Sequence, residues 1–322
     1  MEVMVGFHHG GAKRQRHIPI TGSFLAPQQA RGYKRSMSKA TVLRPPSPAG
    51  VKAIIPLIFA VLLGCLGLGW GTAASAQTSP WAQGDKSRAR MVAAGGLTEG
   101  RFLAGVEIRL APHNLTYWKL PGDAGVPPVF SFDGSKNLKS VQPLYPAPRR
   151  FPEAGGEAFG YMDEVLFPLW ITPKDPTKPV SVALKLDYAT CDKICIPARA
   201  ELSLDLAPGA GRSEDAALLQ AWMGRIPRPP GDPAAPRPVL TPGDKPDVWR
   251  IGFAGQAPTD LFAEGPEDWF FDTKPNADGF DLILAQKPAA TPNGPVELVL
   301  TMVSGDRAFE ARTPLDVGRA KP

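Results

Sequence analysis

The sequence predicts an all-β protein: one β-sandwich, a short connecting helix, then a smaller second β unit. Three observations carry this. Short runs of alternating or wholly apolar residues recur between positions 88 and 311, bounded by Pro and Gly, the pattern of sandwich strands joined by turns. No long stretch places apolar residues at helical spacing. The one helix-like segment, residues 213–223, is short.

The first set of predicted strands is 88–92, 103–110, 115–118, 129–132, 141–145, 165–172, 180–188 and 194–206. That is about eight strands over roughly 125 residues, the size of one sandwich. Pro121, Pro127, Pro128, Pro146, Pro148 and Pro173 mark connections, where a missing N–H costs no ladder bond. The clearest hairpin has Val180, Val182, Leu184, Leu186 and Tyr188 on one arm and Leu202, Leu204 and Leu206 on the other. Both arms have period two and one apolar face. Its tip carries Cys191-Asp192-Lys193-Ile194-Cys195, and Pro197 argues against a helix around Cys195.

Ser213 is the expected N-cap of the helix, with Glu214 and Asp215 in its first turn and Leu218, Leu219 and Trp222 on one face. Residues 227–246 are dense in proline and are expected to run extended, as a linker or strap. The second set of strands is 249–253, 261–263, 269–272, 280–285, 296–303 and 308–311. That unit is small for an independent core, so it is expected to pack on the first. The expected organisation is a leader at 1–76, a sandwich at 77–209, helix and linker at 210–247, and a second β domain at 248–322.

The net charge of +5 is a property of the leader. Residues 1–76 hold nine of the 36 Lys and Arg residues and one of the 31 Asp and Glu residues, so residues 77–322 carry 27 basic against 30 acidic groups, a net −3. A nucleic-acid surface needs basic residues clustered on the folded part, so no nucleic-acid partner is expected. Lys52, the apolar stretch 53–69 and the small-residue site Ala74-Ser75-Ala76 read as an export signal cleaved before Gln77. The alternatives are a retained anchor through 53–69 and a lipid on Cys65, which ends the run Leu62-Leu63-Gly64-Cys65. Met37 competes with Met1 as the start. Export implies a compartment in which disulfides persist, and it leaves Cys191 and Cys195 as the remaining pair.

Three uses of that pair compete. As a structural staple, a five-residue loop contributes only ~2 kcal/mol, against ~4.7 kcal/mol for a loop of 100 residues. As a zinc site it lacks ligands, since His113 is the one histidine after the leader. Two thiolates suit copper(I), yet Met91, Met162, Met223 and Met302 are scattered. As a redox centre, a short bridge at a hairpin tip is open to thiolate attack through a mixed disulfide. The spacing is C-x₃-C rather than C-x₂-C, without a βαβ context.

The run 188–198 (YATCDKICIPA) and the strand after it resemble the N-terminal periplasmic domain of the thiol:disulfide interchange protein DsbD, and more closely the ScsB-type branch linked to copper tolerance. Residues 117–128 (YWKLPGDAGVPP), 145–151 (YPAPRRF) and 159–161 leading into 164–169 carry the same resemblance. It covers roughly residues 82–207, and more weakly 249–317 as a second domain. The resemblance implies an immunoglobulin-like sandwich in which Cys191 and Cys195 pass electrons without a cofactor or metal. It implies a membrane-embedded thiol reductant as donor and oxidised periplasmic thioredoxin-like proteins as acceptors. It further implies an aromatic cap over the disulfide, for which Phe151 and Phe159 are the candidates, with Tyr117, Trp118 and Tyr161 as candidates to line the cleft. No membrane helices or thioredoxin-like domain follow in this sequence, so a separate reductant is expected. The rival function is a non-catalytic partner-binding or copper(I)-handling sandwich. No Ser/His/Asp or phosphate-loop signature supports another enzyme class, and the adjacent acids Asp163-Glu164 and Glu267-Asp268 read as a strand start and a turn.

Overall fold

The computed structural model describes residues 77–123, 125–153, 156–289 and 294–317. The expected leader, with its apolar stretch 53–69, Cys65 and the cleavage site, lies outside them.

Eleven strands build the first sandwich: β1 (Ala82–Gln83), β2 (Ser87–Ala93), β3 (Phe102–Leu110), β4 (Leu115–Gly122), β5 (Val129–Ser131), β6 (Leu138–Pro143), β7 (Arg149–Glu153), β8 (Gly156–Met162), β9 (Glu164–Pro173), β10 (Val180–Cys191) and β11 (Cys195–Leu206). One sheet runs β1-β2-β3-β9-β6. The other runs β11-β10-β4-β8-β7, with β5 also paired to β10. Between them lies a core of Met91, Phe102, Ile108, Phe167, Leu184 and their neighbours. Each strand alternates one side chain into that core and the next away from it.

Three strands went unpredicted: β1, β7 and β8. β7 (RRFPE) has two arginines and a proline, and β8 (GEAFGYM) has two glycines. Neither has strand propensity by composition. β8 forms because β4 and β7 pair with it from both sides, and β7 tolerates Pro152 as an edge strand.

The helix α1 (Ala216–Met223) follows. It buries Leu219 and Trp222 in the core of the first sandwich. Ser213 is not its cap: the N-cap is Asp215, without a side-chain cap bond, and the Ser213 hydroxyl donates instead to the Ala93 carbonyl. Asp215 holds the helix start through Arg90, at 3.0 Å, and Arg90 in turn pairs at 2.6 Å with Glu107, which is buried.

The proline-rich stretch is a linker only in part. Residues Arg237–Pro242 form β12, the edge strand of a sheet with order β12-β13-β16-β15. An edge accepts Pro238 and Pro242 because one side of the strand needs no ladder bond. The remaining strands are β13 (Val248–Ala254), β14 (Asp260–Glu264), β15 (Phe270–Pro275), β16 (Phe280–Gln286), β17 (Val296–Ser304) and β18 (Arg307–Leu315). β14, β17 and β18 make the facing sheet. Trp249, Phe271, Leu282, Leu298, Leu300 and Phe309 fill the second core.

The second sandwich does pack on the first, and one strand serves both cores. In β14, Leu261 and Ala263 face the second core, while Phe262 between them joins the first. Its ring meets Phe159 at 4.9 Å and Trp118 at 5.6 Å. Phe262→Ala is therefore expected to cost ~3–5 kcal/mol, read as a lower midpoint in denaturant unfolding. A loss below ~1 kcal/mol would mean that this contact does not couple the sandwiches.

Candidate functional site

Period two places the cysteines. β10 and β11 pair in unbroken register from Val180↔Leu206 to Cys191↔Cys195. Residues directly opposite on antiparallel strands project to the same face. Val180, Val182, Leu184, Leu186 and Tyr188 take the core-facing positions, so Ala189 and Cys191 fall on the outer face of the sheet. There Cys191 and Cys195 form a disulfide, with Cα atoms 4.1 Å apart and a sequence separation of four. The two sulfur-bearing residues differ in access: Cys191 is 1% exposed, whereas Cys195 is exposed, as are Asp192, Lys193 and Ile194 at the tip.

A small second cluster covers Cys191 on that face. It comprises Leu115 and Tyr117 from β4, Phe151 from β7, Ala158 from β8 and Ala189 from β10, with Met162 packed against it. The registers explain the convergence. Cys191 lies opposite Leu115, Leu115 opposite Met162, and Phe151 opposite Ala158. Between Tyr117 and Gly122 the β4–β8 register shifts. Gly122 has φ +87° there, and a Cβ would fall 2.1 Å from the Glu157 carbonyl oxygen, so the bulge requires glycine. Gly125 lies flat on the Tyr117 ring, where a Cβ would come within 2.5 Å.

The polar element of the site is the Tyr117 hydroxyl. It donates toward Cys191 Sγ at 2.9 Å, lies 3.2 Å from Cys195 Sγ, and donates to Glu153 Oε1 at 3.3 Å. One proton is shared among three acceptors, so the hydroxyl can turn from carboxylate to sulfur. Burial, then the charge of Glu153 and its hydrogen bond, push the Tyr117 pKa up to about 12. Tyr117 thus stays a donor at neutral pH.

Of the seven residues singled out from the sequence, four meet here: Cys191, Cys195, Tyr117 and Phe151. Trp118, Phe159 and Tyr161 face the opposite way, because each neighbours in sequence a residue on the outer face. They belong to the sandwich core. Tyr161 donates to the Pro146 carbonyl at 2.7 Å, and Phe159 and Trp118 meet Phe262. Glu153 ends β7, a strand that its own composition does not predict. Its spacing of two from Phe151 would have placed it on the same face once that strand was recognised. His113 is exposed at a turn, with φ +64°. Among the described residues, no group of three or more Cys, His, Asp or Glu side chains is placed to hold a metal ion, and no helix is long and apolar enough to cross a membrane.

Comparison with known proteins follows the same lines. The family described as "Thiol:disulfide interchange protein DsbD, N-terminal" matches residues 86–207. The crystal structure of the N-terminal periplasmic domain of ScsB from Proteus mirabilis is similar in fold, with a TM-score of 0.57 and 18% sequence identity over 74% of this chain and 98% of that one. No curated protein matches the chain. Both cysteines, Tyr117, Phe151 and Glu153 all lie within residues 86–207, the part of the chain that matches the DsbD N-terminal family.

Proposed function

We propose that the protein is a periplasmic thiol–disulfide interchange module that takes electrons from a membrane-embedded reductant and passes them to disulfides of thioredoxin-like partners. The observation that carries this reading is the unequal exposure of the two cysteines, with a shielded hydrogen-bond donor at the buried one. The family match and the similarity to the ScsB domain support an interchange role.

The chemistry follows from access. A reductant thiolate attacks the exposed Cys195 Sγ. The S–S bond breaks, and its electron pair leaves on Cys191 Sγ, where the Tyr117 hydroxyl is placed to stabilise it. The reductant's second thiolate then attacks its own sulfur in the mixed disulfide. This forms the reductant's disulfide and releases Cys195 as a thiolate. In the second half, Cys195 attacks an oxidised partner, and Cys191 resolves the mixed disulfide. Two electrons move in each half, and the thiolates exchange protons with solvent. Phe151 lies over the buried side of this bridge and limits access to it. Ile194, 72% exposed beside Cys195, offers an apolar contact to a docking partner.

Trapping tests the assignment. Cys191→Ala leaves an exposed Cys195 that should accumulate mixed disulfides with oxidised thioredoxin-like proteins, at least about tenfold more than Cys195→Ala, because exposure governs thiolate attack. Mass spectrometry of the trapped species reads the result. Should neither variant trap a partner while the wild-type protein binds copper(I) stoichiometrically through both thiolates, the copper-handling role would replace this one.

A second prediction concerns Tyr117. Hydrogen bonds to charged groups are worth ~1.5–3 kcal/mol, so Tyr117→Phe should slow bridge cleavage about ten- to a hundredfold. In a spectrophotometric alkaline titration its step should lie near 12 and vanish in that variant. Glu153→Gln should lower the step but leave it above the ordinary ~10, since burial is the larger cause. A wild-type step at the ordinary value would rule out a shielded donor.

A further inference from the structure

The strand that carries Phe151 and Glu153 is held from behind by the second sandwich. β7 is five residues long, lies at the edge of its sheet and, among the described residues, pairs only with β8. A short edge strand with one partner is weakly held by its own ladder. Phe151 and Glu153 face the disulfide. Arg150, the residue before Phe151, projects through the other face, with its side chain 14% exposed.

Most of what Arg150 touches lies on the second sandwich. Its Nη2 donates to Asp260 Oδ1, to the Leu261 carbonyl and to Thr273 Oγ1, each at 3.0 Å, and its Nε lies 3.3 Å from Asp260 Oδ1. Its Nη1 pairs with Glu157 of β8 at 2.5 Å. The guanidinium lies over the Phe159 ring at 4.8 Å and the Phe262 ring at 5.2 Å. Burial opposes its charge, but Asp260 and Glu157 outweigh that and raise its pKa. Arginine's planar fork suits several acceptors at once, so this is a fixed anchor.

We infer that Arg150 is a positioning residue through which the second sandwich holds Phe151 and Glu153 over the Cys191–Cys195 disulfide. The second domain thereby sets how readily thiols reach the buried sulfur. Loss of the anchor frees β7, opens Cys191 as a second point of thiolate attack beside Cys195, and withdraws Glu153 from Tyr117, whose hydroxyl is then left to the sulfurs. The inference rests on the interchange reading for its biological meaning, but its geometry is independent of which protein partner is used.

A double-mutant cycle on the purified full chain tests it, with the rate of bridge reduction by dithiothreitol as readout. Arg150→Met should speed reduction about tenfold by promoting local opening of β7, and Asp260→Asn should act in the same direction. Phe151→Ala should also speed it. In the Phe151→Ala background, Arg150→Met should add nothing, because residues acting through one element are not additive. Arg150→Met should also lower the alkaline step of Tyr117, whereas Leu298→Ala, which weakens the second core away from β7, should not. If Arg150→Met fails to fold, Asp260→Asn completes the same cycle. Multiplying effects of Arg150 and Phe151, or an unchanged rate in a folded Arg150 or Asp260 variant, would overturn the inference. Failure of every variant to exchange with thioredoxin-like proteins, with the cycle intact, would instead overturn the interchange reading.

Discussion

In the six-stranded sheet, successive side chains point to opposite faces, so each strand that crosses it serves two environments. On β4, Trp118 enters the sandwich core while Tyr117 meets the disulfide. On β8, Phe159 and Tyr161 enter the core while Ala158 lies under Phe151. On β10, Tyr188 and Thr190 take the inner positions and Ala189 and Cys191 the outer. The core side buries most of the apolar area and supplies most of the stability. The outer side is a small cluster that contributes little to folding. A rigid sheet therefore sets the spacing of the sulfurs, the phenol and the carboxylate, and no flexible loop is needed to bring them together.

That arrangement separates the two cysteines chemically although they are cross-strand partners. Cys195 stands at the open edge of the hairpin, and Cys191 lies under Tyr117 and Phe151. In the proposed interchange reaction an attacking thiolate is steered to Cys195, and Cys191 becomes the leaving group beside a donor that stays protonated at neutral pH. The low polarity around the phenol strengthens its hydrogen bond and keeps it protonated. Glu153 gives the hydroxyl a resting partner and raises its pKa further.

The second sandwich enters this scheme from the core side. Phe262 packs edge-on against Trp118 and Phe159, and Asp260 and Thr273 hold Arg150. Both contacts touch strands that carry site residues on their other face. A sheet transmits such contacts because its strands are stiff and its faces share one backbone.

Much of this was readable in the sequence. Alternation in 180–188 and 201–206 identified the hairpin and put Cys191 and Cys195 at its tip. Six of the strands of the second unit, and its need to pack on the first, followed from short apolar runs and a small core. Local pattern could do this because strand period and hairpin register are properties of neighbouring residues. The rest was decided in three dimensions. β7 and β8 exist through pairing rather than propensity, and β12 forms out of a proline-rich stretch because a sheet edge accepts it. Ser213 bonds to Ala93 instead of capping the helix. The sorting of Tyr117 and Phe151 toward the disulfide, and of Trp118, Phe159 and Tyr161 away from it, depends on which face of the sheet the core occupies. That choice is made by the facing sheet and by Phe262, residues far away in sequence, and no local pattern of aromatics encodes it.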